Sequence, residues 1–135
     1  MARILVVANR TAESQELLDV LKQRGDGNEF VLVVPASGHG IEKAADPDAA
    51  REHTEPHLDA ALERWRAEGL QVEGTVGDGD PLAAVEDAVN FGEFDEIIVS
   101  TLPVRASKWL KMDLPTRVER ATGKPVTHVE TKQAD

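Results

Sequence analysis

The sequence contains no cysteine and has few basic residues for its acidic content. Without cysteine the chain has no disulfide, no thiolate nucleophile and no cysteine-ligated zinc or iron–sulfur site. Lys and Arg together number 15 against 25 Asp and Glu, so the formal net charge is −10. Because this charge repels polyanions, we expect the protein to bind neither nucleic acid nor an anionic membrane surface.

Long apolar runs are missing as well. The longest are Ile4–Ala8 and Phe30–Val34, far shorter than the ~20 residues that span a bilayer. Met1-Ala2-Arg3 leads directly into the first run, without the extended apolar segment and small-residue cleavage site of a secretion signal. We therefore expect a cytoplasmic protein.

No motif in the sequence predicts catalysis. There is no Gly-x-Ser-x-Gly elbow, no His-Glu-x-x-His pair and no Walker-type phosphate loop. His53 and His57 are four residues apart but lack an obvious third ligand. We interpret Asp78 and Asp80 as residues of a turn and a helix cap, and His128 as a strand side chain. We expect a non-enzymatic protein without a metal site.

Short apolar runs alternate with amphipathic segments along the 135 residues, of which 41% are apolar. This alternation predicts one doubly wound α/β domain over residues 1–135, with a Rossmann-like parallel sheet and helices on both faces. The third strand is the least apolar and is expected nearer an edge. The five predicted strands are Ile4–Ala8, Phe30–Val34, Leu70–Val76, Ile97–Val99 and Pro125–Val129.

Capping residues and prolines predict where the helices begin. Thr11 is the expected cap of the first helix, Asp80-Pro81 opens the third, and Leu114-Pro115 opens the last. The second helix has two candidate starts, Asp46-Pro47 and Thr54-Glu55-Pro56. Because proline is costly deep inside a helix, we favour a break or a fresh start near Thr54.

Polar residues follow two strands that we expect to be neighbours. In open α/β sheets, ligands bind outside the carboxyl ends of the strands, at the point where the strand order reverses. The candidates are Asn9 and Thr11 after the first strand, and Ser100 and Thr101 after the fourth.

These segments together resemble the universal stress protein family. The segment Ile4–Ser14 aligns without gaps with the family's opening motif, a strand followed by Asp-Gly-Ser and a second Ser. The segment Leu58–Pro81 matches the family's helix, strand and Gly-x-Pro turn. Its Asp-hydrophobic-Ile-Val strand matches Asp95–Val99, and its closing Pro-Val strand matches Pro125-Val126. The resemblance implies a nucleotide-hydrolase-like α/β fold, a stress-related role and a homodimer commonly formed by the last strand.

The chain departs from the family at the residues that hold ATP. Asn9 stands where ATP-binding members carry Asp. After the fourth strand those members carry Gly-x-x-Gly, nine further residues and Gly-Ser, whereas this chain has Ser100–Leu114 and no glycine from Glu93 to Thr122. Glycine lets the backbone approach phosphates closely and turn through positive φ. We therefore expect no ATP binding in the family's usual manner and no bound cofactor.

Two alternatives remain open for the segment after the fourth strand. Its cations Arg105, Lys108 and Lys111, with Ser107, are expected either to form a solvated basic face or pair with acidic residues of another subunit, or to hold a phosphate. In the second case the ligand is ATP, AMP or another phosphate compound, with Asn9 on the base or ribose and Val33 and Val34 meeting the adenine. Trp109 and Leu110 of the same segment are candidate anchors for a protein partner or the second subunit.

Overall fold

The computed structural model describes residues 2–8, 12, 14–24, 27–36, 47–101 and 113–130, with the backbone alone for residues 47–51 and 53. Five parallel strands form one sheet in the order β3-β2-β1-β4-β5. This confirms the doubly wound sheet that the alternating pattern predicts. The strands are β1 Arg3–Val7, β2 Glu29–Pro35, β3 Gln71–Gly77, β4 Glu96–Thr101 and β5 Val126–Glu130, and the helices are α1 Gln15–Gln23, α2 Pro47–Ala67, α3 Pro81–Phe91 and α4 Leu114–Thr122.

Alternate side chains of the central strands enter two separate apolar layers. One layer, which we call the α1/α2 layer, packs one face of the sheet against α1 and α2, with Trp65 fully buried. The other, the α3/α4 layer, packs the opposite face against α3 and α4. In β1, Ile4 and Val6 face the first layer while Leu5 and Val7 face the second. Burial on both faces explains why these strands lack polar alternation.

The strand β3 lies at one edge of the sheet, as its weaker pattern predicts. It packs against α2 at Gly74, where an added Cβ atom would come within 2.9 Å of the Leu32 carbonyl oxygen and of Leu58 Cδ1. Glycine therefore lets this helix sit directly on the edge strand. On the other face of β3 the side chains of Gln71, Glu73 and Thr75 are exposed.

Two of the helix starts predicted from the sequence are confirmed, and one predicted cap is wrong. Asp80 caps α3 by accepting a hydrogen bond from the Leu82 N–H at 3.1 Å, and α4 begins at Leu114. Thr11 is wrong as the cap of α1, because the hydroxyl of Ser14 accepts the Leu17 N–H at 3.1 Å. That hydroxyl stands three residues before its donor, which is the usual reach of a capping side chain.

The predicted break near Thr54 is also wrong. The helix α2 runs without interruption from Pro47 to Ala67, with Pro56 inside it. Because proline has no N–H, Pro56 removes only the helical hydrogen bond to the Glu52 carbonyl. Pro56 and Glu52 are both exposed to solvent. The buried stripe Leu58, Ala61, Leu62 and Trp65 holds the rest of the helix on the sheet.

An ion pair ties the end of α1 to the amino ends of β4 and β5. Arg24 Nη2 lies 2.6 Å from Glu96 Oε2, which also accepts a hydrogen bond from the Thr127 hydroxyl at 2.6 Å. These contacts hold the first crossover in place. Over the described ranges, no helix combines the length and apolar character that crossing a membrane requires.

Replacing Pro56 with alanine is expected to stabilise the fold. Proline inside a helix lowers the free energy of unfolding by roughly 3 kcal/mol relative to alanine. Its restriction of the unfolded chain offsets roughly 0.4–1 kcal/mol of this loss. We expect Pro56→Ala to raise the free energy of unfolding in urea by about 2 kcal/mol. Glu63→Ala, an exposed site in the same helix, serves as the control and should change it by less than about 0.5 kcal/mol. An unchanged or lowered value for Pro56→Ala would contradict the expectation.

Candidate functional site

The carboxyl ends of β1 and β4 lie side by side in the middle of the sheet. Val7 pairs with Val99, and β1 separates β2 from β4. From β1 the chain adds β2 and β3 in one direction and later β4 and β5 in the other. The reversal of strand order, where doubly wound sheets bind ligands, therefore falls between β1 and β4.

The structure places Ser100 and Thr101 at this point, at the end of β4. Both residues are buried, with 1% and 2% of their surface exposed. Ser100 follows Ile98 toward the α1/α2 layer, whereas Thr101 follows Val99 toward the α3/α4 layer. The two hydroxyls therefore point to opposite faces of the sheet.

The hydroxyl of Thr101 is hydrogen-bonded to a histidine of the neighbouring strand. Thr101 Oγ1 lies 2.7 Å from His128 Nε2 on β5. His128 is a strand side chain, as predicted, but its contact with Thr101 is not visible in the sequence. The contact depends on the register that pairs Val99 with His128, and no sequence signal specifies that register.

Val33 and Val34 lie at the end of β2, beside the crevice, with buried side chains. Val33 packs in the α3/α4 layer and Val34 in the α1/α2 layer. The carbonyl of Val33 accepts the N–H of Ala8 at 3.2 Å, which joins the ends of β1 and β2. A contact of these two valines with adenine stays a prediction.

The remaining predicted site residues lie outside the described part of the chain. They are Asn9, Thr11, Arg105, Ser107 and Lys108. The same holds for the candidate anchors Trp109 and Leu110. In the ranges that the structure describes, no group of three or more His, Asp or Glu is arranged to hold a metal ion.

The helix α4 begins with a residue in an unusual backbone conformation. Asp113 has φ 56° and ψ 46°, and it is the one non-glycine residue with positive φ over the described ranges. Its carbonyl accepts the N–H of Arg117, but its exposed carboxylate makes no capping hydrogen bond. The next residue, Leu114, is fully buried in the α3/α4 layer.

Solved structures of universal stress proteins are similar to this chain over nearly its full length. One from Arabidopsis thaliana with AMP bound has a TM-score of 0.64 and 13% identity, covering 98% of this chain and 93% of that one. One from Archaeoglobus fulgidus has a TM-score of 0.60 and 18% identity, covering 96% and 93%. A universal stress protein in complex with cAMP has a TM-score of 0.56 and 18% identity, covering 98% and 100%.

At these identities the likeness establishes the fold. No protein-family model matches the sequence, and no curated protein matches it either. The chain therefore has the five-stranded α/β architecture of universal stress proteins.

The backbone turns through positive φ at the start of α4. Counted from Ser100, the family's last Gly-Ser falls at Asp113 and Leu114. Asp113, the first of these two residues, adopts positive φ although it is not glycine. Aspartate is among the few residues that tolerate the left-handed region. This chain has an exposed carboxylate at the first of these positions and a buried leucine at the second.

Substitutions at Asp113 should rank glycine above aspartate and aspartate above alanine in stability. Glycine adopts positive φ without steric cost, and the aspartate carboxylate makes no cap bond that would be lost. We expect Asp113→Ala to lower the free energy of unfolding by about 1 kcal/mol and Asp113→Gly to raise it by about 0.5 kcal/mol. Urea denaturation measures both. The reverse order, with alanine more stable than glycine, is normal for ordinary backbone conformations and would contradict a left-handed Asp113.

Proposed function

We propose that this chain is a universal-stress-protein-like regulatory domain that does not bind ATP in the family's usual manner. Its fold and the sequence resemblance support the family, and the start of α4 supports the loss of ATP binding. A helix N-terminus binds phosphate through free N–H groups and the positive end of the helix dipole. Here the exposed Asp113 carboxylate occupies that end, and its charge repels a phosphate.

The residues around the crevice support the same proposal. Leu114 supplies no hydroxyl to a phosphate, and its side chain is fully buried. The Thr101 hydroxyl is already hydrogen-bonded to His128. The overall charge of −10 adds a further unfavourable field for a triphosphate.

A nucleotide-binding role is the competing candidate. It is favoured by the AMP and cAMP bound in two structures of the same fold. In this version Asn9 contacts the base or ribose, and Arg105, Ser107 and Lys108 replace the glycine cradle as charge-assisted donors. The ligand would then be a nucleotide or another phosphate compound.

Isothermal titration with ATP, ADP, AMP and inorganic phosphate separates the two candidates. We expect no saturable heat from the unchanged chain and no phosphate release from ATP. Asp113→Asn keeps a residue that tolerates positive φ and removes the charge, so any gain of ATP binding in this variant identifies the carboxylate as the obstacle. Saturable micromolar binding by the unchanged chain, lost in the double variant Arg105→Ala and Lys108→Ala, would overturn the proposal.

The proposed domain acts as a cytoplasmic homodimer formed through β5. This strand is the last one on its side of the sheet in the described part of the chain, and an edge strand can pair with a second copy. The Ile97 N–H donates to the Pro125 carbonyl at 2.9 Å. Because alternate residues of a parallel ladder bond to the same neighbour, the main-chain N–H of His128 points away from β4.

Proline at position 128 should therefore dissociate the dimer without breaking the sheet. His128→Pro removes an outward N–H, which edge strands tolerate. We expect a mass of twice 14.7 kDa for the unchanged chain in sedimentation equilibrium and a single-chain mass for this variant. His128→Ala loses the same contact to Thr101 but keeps the N–H, and it should remain dimeric. A monomeric unchanged chain, or a dimeric His128→Pro variant, would contradict pairing through β5.

A further inference from the structure

An open groove lies between α3 and the β3 edge of the sheet. It has a volume of about 350 Å³, within the range of roughly 300–1,000 Å³ that is usual for binding sites. The groove exists because α3 lies against β2 and β3 without covering the outer side chains of β3. Its wall and floor are formed by Ala84, Asp87, Ala88 and Phe91 of α3 and by Val31, Val33 and Thr75 of the sheet.

The helical wall of the groove forms one continuous stripe. Ala84, Asp87, Ala88 and Phe91 are spaced at i, i+3, i+4 and i+7, so they share one side of α3. The stripe ends in Phe91, which is 90% exposed and is the one large apolar side chain exposed over the described ranges. Together with the half-buried Val31 and Ala88, Phe91 gives the groove an apolar surface on which a partner's apolar side chain can pack.

The charges along the groove are mostly acidic. Asp78 and Asp87 both line it and are exposed, and the described ranges place no cation within ion-pair distance of Asp87. Arg3 closes one end, but its guanidinium lies 4.8 Å above the Phe94 ring and 3.4 Å from the Glu29 carboxylate. The groove therefore presents uncompensated negative charge next to apolar surface.

We propose that this groove binds an extended segment of another protein in which apolar side chains alternate with Lys or Arg. The apolar side chains pack between Phe91 and the floor at Val31, and the cations pair with Asp78 and Asp87. A second copy of this chain fits poorly, because groove against groove would bring the same carboxylates together. The groove shares Val33 of its floor with the crevice, but the inference rests on Asp78, Asp87 and Phe91, none of which is a predicted nucleotide contact.

Fluorescence anisotropy with a labelled peptide tests the proposal on the full chain. The probe is Gly-Lys-Leu-Arg-Phe-Lys-Gly, and its matched control has serine in place of Leu and Phe. We expect the probe to bind and the control to bind at least about tenfold more weakly. Phe91→Ala and Asp87→Lys should each weaken probe binding at least about tenfold, and added salt should weaken it further. Both substituted side chains are exposed, so the fold should not change.

A matched charge reversal separates groove binding from general attraction to an acidic protein. Asp59 is an exposed carboxylate on α2, on the opposite face of the sheet, and Asp59→Lys should change affinity by less than about twofold. The proposal is overturned by absence of probe binding up to about 1 mM, by an unchanged affinity in Phe91→Ala, or by equal effects of Asp59→Lys and Asp87→Lys. It is also overturned if Phe91→Ala dissociates a dimer, because a second copy would then cover the groove.

Discussion

Burial of the central strands on both faces is the constraint on which the rest of this structure depends. The side chains of β1 and β4 are almost entirely withdrawn from water, so every helix must return across the sheet to cover them. Because each connection crosses back over the sheet, all five strands run parallel and their carboxyl ends lie at the same end of the sheet. The crevice, the start of α4 and the bare face of β3 are all consequences of how the described helices cover the sheet.

The features that the sequence predicts correctly depend on local chemistry. Asp80-Pro81 and Leu114-Pro115 each combine residues that suit a helix start, and both helices begin there. The apolar runs predict β1 and β2 without any information about which strands lie beside them. The cap of α1 is the exception, because the hydroxyl that accepts the Leu17 N–H belongs to Ser14 and not to the predicted Thr11.

The features that the sequence does not predict depend on pairing and packing. The continuity of α2 through Pro56 follows from the fit of Leu58 and Trp65 against the sheet, which outweighs one lost hydrogen bond. The contact between Thr101 and His128 follows from strand register, and the groove beside α3 follows from where that helix sits. At the candidate site, the left-handed Asp113 is invisible because aspartate occupies ordinary conformations far more often. A search for glycine alone therefore misses this turn.

The exposed row on β3 has a consequence for how the protein behaves at high concentration. A flat edge strand invites other chains to add to it and so begins aggregation. Here Glu73 places a charge in the middle of that strand and Gly74 weakens its intrinsic preference for extended pairing. If copies of this chain paired through β3, their Glu73 carboxylates would lie close together and repel each other. The charge at Glu73 therefore opposes uncontrolled polymerisation through β3.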